Sequence, residues 1–91
     1  MEVIITKGYL KDLKHLPKTI IAAADEVIDK LAASESLQDS GLDYKKLSGQ
    51  KKSENYYRIR VGNYRIGCEL INPSTILITI FNRQDDYKSF P

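Results

Sequence analysis

Two segments that alternate apolar and polar residues, Tyr56–Val61 and residues 64–70, are separated only by Gly62-Asn63. A two-residue loop opening on glycine suits a type II′ turn, and such a turn sets the strand register. Counting outward, Val61 faces Tyr64, Arg60 faces Arg65, Ile59 faces Ile66, Arg58 faces Gly67 and Tyr57 faces Cys68. Directly opposite residues share a face of the sheet. Tyr57, Ile59, Val61, Tyr64, Ile66 and Cys68 therefore form the expected core side, and Tyr56, Arg58, Arg60, Arg65, Gly67 and Glu69 the other. Like charges directly opposite destabilise a sheet. Either the arginines splay into water, with Glu69 neutralising one, or they hold an anion. The guanidinium fork matches phosphate bidentately and stays charged at any working pH. Gly67 leaves space beside Arg58 for such a ligand.

The flanking sequence supplies the rest of one α+β domain over residues 1–91, a length with no room for a second core. Asn72-Pro73-Ser74 marks a turn, and residues 75–81 are apolar enough for a central strand. At the other end, residues 1–6 carry the β-prone Val3, Ile4 and Ile5. Thr6 is placed to cap a helix over residues 9–16, and Pro17 separates it from a second helix over 18–33. Ile20, Ile21, Ala24, Val27, Ile28 and Leu31 share an arc of about 120° on that second helix. Asp25, Glu26 and Asp29 lie on its other, solvated side. Residues 34–54 read as a long connection anchored by Leu37, Leu42 and Leu47.

Several function classes fall away. Gly8, Gly41 and Gly49 have no phosphate-cradling spacing. One cysteine forms no internal disulfide, and with one histidine it does not make an ordinary zinc site. No apolar run approaches the ~20 residues that span a bilayer, and the first residues do not read as a secretory signal, so the cytoplasm is the expected address.

The net charge of +2 conceals a strongly uneven distribution. Residues 1–44 carry a net −3, residues 45–65 a net +6 and residues 66–91 a net −1. The basic block comprises Lys45, Lys46, Lys51, Lys52, Arg58, Arg60 and Arg65 against Glu54. Such a block can hold a polyanion, or be a solvated surface. Arg83 follows the third strand and, by alternation, shares a side with Thr75, Leu77, Thr79 and Phe81. Tyrosines interleave with these cations. Stacking on aromatic rings and gripping of phosphates is how single-stranded RNA is recognised. With Tyr57 and Tyr64 assigned to the core, Tyr56 and Tyr87 are the stacking candidates.

The strand–helix–helix opening, Lys46-Leu47-Ser48-Gly49, the hairpin from Tyr57 to Ile66, and Asn82-Arg83-Gln84-Asp85-Asp86-Tyr87 together resemble the RelE/ParE superfamily of bacterial toxins from type II toxin–antitoxin systems. The likeness covers nearly the whole chain. It implies a small α+β domain with two N-terminal helices packed on one face of a curved, mainly antiparallel four-stranded sheet. RelE-type members cut mRNA in the ribosomal A site, whereas ParE-type members poison DNA gyrase without that nuclease site. Arg65, and Arg83 followed by Tyr87, resemble the RelE pattern.

That branch implies metal- and cofactor-free cleavage with the RNA 2′-hydroxyl as nucleophile, and as partners a cognate antitoxin, mRNA and the ribosome. By position, Arg65 and Arg83 would stabilise charge on the phosphate, and Arg58 and Arg60 would hold the backbone. Tyr87 would orient the nucleophile, stack or relay a proton. Lys45, Lys46, Lys51 and Lys52 would grip rRNA phosphates. Arg58 and Arg60 stand where some members carry lysine, and Asn82 where many carry histidine. Neither arginine nor asparagine titrates near neutrality, so Glu69 is the candidate base on that face, with counter-ion to Arg58 as its other role. A gyrase inhibitor and a catalytically weak RNA- or ribosome-binding relative are the alternatives.

Overall fold

A computed structural model describes residues 1–47, 55–71 and 74–82. In chain order the elements are β1 (Glu2–Ile5), α1 (Lys7–Leu13), α2 (Lys18–Ala33), a 3-10 turn (Gln38–Ser40), β2 (Tyr44–Lys46), β3 (Tyr56–Val61), β4 (Tyr64–Ile71) and β5 (Ser74–Asn82). The β3–β4 hairpin has the register counted from the turn, from Val61 opposite Tyr64 to Tyr56 opposite Glu69. Gly62 sits at φ 58°, and no described non-glycine residue has a positive φ, as a II′ turn with Asn63 second requires.

The sheet runs β1-β5-β4-β3-β2, with β1 parallel to β5 and all other pairs antiparallel. The α+β architecture is the expected one, with a strand added to the expected four. That strand, β2, comes from the segment read as a connection. Three residues, two of them lysine, are too few to show a period. What makes them a strand is pairing with β3, extended by bonds from Arg60 N to the Asp43 carbonyl (2.8 Å) and from Leu47 N to the Tyr56 carbonyl (3.0 Å). Lysines on such an edge also discourage a foreign strand from adding to it.

A second departure lies in β5. Thr79 pairs with Gly67, but Leu77 pairs with Cys68, so Ile78 is an extra residue bulged from the ladder. The alternation expected from Thr75 to Phe81 is therefore broken between 77 and 79. Strict period two does not survive an inserted residue.

The Thr6 hydroxyl accepts a bond from Tyr9 N at 3.1 Å and caps α1 as expected. The helix ends at Leu13, short of the expected Leu16. Pro17 pushes the residue before it out of the α region, and the chain turns over residues 14–16 instead. β1 pairs only with residues 74–77 of β5. Beyond that point α1 packs along β5, and the Thr79 hydroxyl donates to Asp12 Oδ2 at 2.6 Å.

The core lies between the helices and one face of the sheet. Ala24, Val27 and Leu31 of α2 and Tyr9 of α1 pack with Ile59, Val61, Ile66, Cys68 and Ile80. Leu37 joins them and anchors the long connection. There the buried Ser40 hydroxyl donates to the Leu37 carbonyl at 2.6 Å, and Gly41 turns the chain at φ 74°. Burial pushes the Cys68 thiol up to about 12, so at neutral pH it is a protonated core side chain rather than a nucleophile.

Tyr9 is fully buried, yet among the described residues its hydroxyl has no hydrogen-bond partner. Burial first, and the nearby charge of Asp25 second, push its phenol up to about 12. A buried polar atom without a partner carries a desolvation cost with no return. Tyr9→Phe is therefore expected to leave stability unchanged or raise it by up to about 1 kcal/mol. Urea unfolding measures this, and a loss greater than that would show that the hydroxyl is bonded.

Candidate nucleic-acid interface

Arg58 and Arg60 alternate along β3 with Tyr57, Ile59 and Val61, which face the core. The two arginines therefore leave the sheet on the side away from the helices. Arg65 of β4 is directly opposite Arg60, and Gly67 directly opposite Arg58. On the other flank, Lys45 of β2 is opposite Arg58. Two cross-strand rows result. One runs Asp43, Arg60, Arg65, Phe81, and the next runs Lys45, Arg58, Gly67, Thr79. Opposite side chains on an antiparallel pair start with Cβ atoms about 4.5–5.5 Å apart. Four cations are thus concentrated on adjacent positions of one face.

Local bonds manage this crowding. Arg65 is half-buried, and its Nη1 donates to the Tyr64 carbonyl at 3.0 Å and to the Gly62 carbonyl at 3.4 Å. Both acceptors draw the guanidinium towards the hairpin turn. Arg60 instead meets the Asp43 carboxylate, Nη1 to Oδ2, at 3.8 Å. Among the described residues Glu69 forms no ion pair with Arg58. It lies opposite Tyr56, which places both on the arginine face. Among the described residues, Asp43 is a carboxylate that does offset an arginine, and sequence reasoning missed it. It lies in the segment read as a connection, and only the β2–β3 pairing brings it to Arg60.

The structure brings together Lys45, Tyr56, Arg58, Arg60 and Arg65 of the expected site. Lys46 is separated from them: it pairs with Tyr57 and so faces the other side of the sheet. Arg83, Tyr87, Lys51 and Lys52 lie outside the described residues. Among the described residues no group of three or more His, Cys, Asp or Glu could hold a metal ion. No described helix is long and apolar enough to cross a membrane.

A cleft of about 440 Å³ lies between the end of α1, the turn after it and the end of β5. Lys11, Asp12, His15, Tyr64 and Asn82 are among its lining residues. His15 is exposed, in the turn after α1. Tyr64, read as core, both packs against the core and lines this cleft.

The arginine rows are suited to holding phosphates and stabilising negative charge on them. Their guanidinium groups do not supply a general base.

The profile of the family described as "ParE toxin of type II toxin-antitoxin system, parDE" matches residues 3–87. The chain is also 43% identical to Toxin RelE3 of Methanocaldococcus jannaschii over 91 residues, the full length of both. The chain belongs to the RelE/ParE family of type II toxins. Solved RelE structures share its fold. The RelB–RelE antitoxin–toxin complex from Methanococcus jannaschii superposes with a TM-score of 0.79 at 41% identity, covering 97% of this chain and 99% of that one. The archaeal RelE–RelB complex from Pyrococcus horikoshii gives 0.72 at 26% identity, covering 90% and 93%. In this RelE/ParE toxin Arg58 and Arg60 lie on the sheet face opposite the core, and the row through Arg65 ends at Phe81, which also lines the cleft by His15.

Proposed function

We propose that this RelE/ParE toxin is a ribosome-dependent mRNA endoribonuclease that inhibits translation in the cytoplasm. The observation that carries the reading is the pair of adjacent cross-strand rows holding Lys45, Arg58, Arg60 and Arg65 on one face. The similarity to proteins named RelE supports the nuclease branch.

In the proposed reaction the RNA 2′-oxygen forms a bond to the adjacent phosphorus and the bond to the 5′-oxygen breaks. The 2′-hydroxyl proton passes to a base and the leaving 5′-oxygen takes up a proton. The products are a 2′,3′-cyclic phosphate, or the 3′-phosphate after hydrolysis, and a 5′-hydroxyl. The nucleophile belongs to the RNA itself, so the scheme calls for no metal or cofactor. Arg65 and Arg83 stabilise charge on the phosphorane. Arg58 and Arg60 hold the flanking backbone, with Lys45, Lys51 and Lys52 as further contacts to rRNA phosphates. Tyr56 stacks on a base, and Tyr87 orients the 2′-hydroxyl. Glu69, on the arginine face, is the proposed base.

The solved M. jannaschii and P. horikoshii relatives are complexes with RelB, and we propose an antitoxin partner here too. Ile4, Ile5, Leu10 and Ile71 are exposed by 42–54% and offer it apolar contacts.

Mapping of RNA ends tests the function. Purified toxin with programmed ribosomes should create new 5′-hydroxyl ends at A-site codons, insensitive to EDTA and absent with free mRNA. Ribosome binding without new ends would leave a binding-only relative. The family profile is described by ParE, so gyrase inhibition is the second reading. Toxicity with neither ribosome binding nor cleavage would favour it.

A further inference from the structure

Asp43 is held to Arg60 twice. Its carbonyl accepts the Arg60 backbone N–H at 2.8 Å, and its carboxylate lies 3.8 Å from the guanidinium. The backbone bond fixes the two residues as neighbours and keeps the carboxylate within reach of the row that continues to Arg65. Both side chains are nevertheless wet, Arg60 exposed by 55% and Asp43 by 72%. An ion pair this exposed adds little to folding stability. It does, however, place a negative charge, besides that of Glu69, on the face that carries Lys45, Arg58, Arg60 and Arg65.

We propose that Asp43 is an internal competitor for the anion that Arg60 binds. Without RNA its carboxylate occupies the guanidinium, and an RNA phosphate must displace it. Resting on the RNA-binding reading above, this makes Asp43 a selectivity residue. It weakens attachment to any polyanion that offers charge alone. A substrate that also stacks and fits recovers the difference through contacts elsewhere. The carboxylate is suited to the task because it is tethered, exposed and free to swing away.

The test is a salt titration of binding to a short, unstructured, 2′-O-methylated RNA, which cannot be cut, followed by fluorescence anisotropy. Asp43→Asn is expected to tighten binding about two- to fivefold at low salt, the strength of an exposed pair. The gain should shrink as salt rises, because binding to nucleic acid weakens with log[salt] more steeply as the protein's positive charge grows. Asp39→Asn, the same charge change in the 3-10 turn off the arginine rows, is expected to give a smaller gain. In an Arg60→Ala background the effect of Asp43→Asn should largely vanish. Thermal unfolding of Asp43→Asn should match wild type.

A gain no larger than that of Asp39→Asn, or one undiminished without Arg60, overturns the competitor role while leaving RNA binding intact. Failure of both wild type and Asp43→Asn to bind the RNA at low salt overturns the RNA-binding reading, and this inference with it.

Discussion

Arg65→Ala is expected to lower ribosome-dependent mRNA cleavage by about two to three orders of magnitude, the usual cost of removing one preorganised donor from a developing negative charge. Arg65 stands on the central strand β4, between Arg60 and Phe81 in register. Its guanidinium is held by the Tyr64 and Gly62 carbonyls, so it is positioned before any substrate arrives. Those bonds are made by the side chain, and its removal leaves the backbone ladder in place. The variant should therefore fold and unfold like wild type, which separates a chemical defect from a structural one. Arg65→Lys keeps the charge but loses the planar fork and should fall between the two. The measurement is the single-turnover rate of new 5′-hydroxyl ends on programmed ribosomes. A variant within about fivefold of wild type would remove Arg65 from the mechanism, since a lost transition-state contact costs far more than that. Undiminished toxicity in the absence of cleavage would move the function to the gyrase branch.

Ile66→Ala is expected to cost about 2–5 kcal/mol of folding stability, as for other large-to-small changes in a packed core. Ile66 is fully buried and sits between Ile59 and Ile80 in one row across the core face, with Tyr44 beyond Ile59. Neighbours on rigid paired strands close in little on the space left behind. Small domains have only about 5–15 kcal/mol in total, so the loss is a large fraction. In a chain of this size about 1 kcal/mol moves the melting temperature by roughly 4–8 °C, which puts the expected fall above 8 °C. Urea denaturation gives the free energy directly. Ile71→Ala, at a residue 48% exposed, provides the contrast and should change stability by no more than about 0.5 kcal/mol. Equal losses for the two would show that Ile66 is not the buried centre of the sheet.

What could be read from the residues alone is what short-range geometry determines. The Gly62-Asn63 turn leaves one register for β3 and β4, so the placement of Arg58, Arg60 and Arg65 on one face, opposite Ile59 and Ile66, followed from counting. The apolar arc of α2 and the Thr6 cap are equally local, because a helix repeats every few residues and its cap lies one turn away. Other features depend on elements far apart in the chain. Tyr44–Lys46 is a strand only because β3 offers it an edge, and this pairing brings Lys45 to Arg58, Asp43 to Arg60, and turns Lys46 away. The parallel pairing of β1 with β5, the bulge at Ile78 and the Asp12–Thr79 bond likewise arise where separate elements must fit one another. Periodicity records which face a residue takes within its own element. Which elements meet, and which charges then become neighbours, is decided by the packing of complementary faces, and no local pattern carries it.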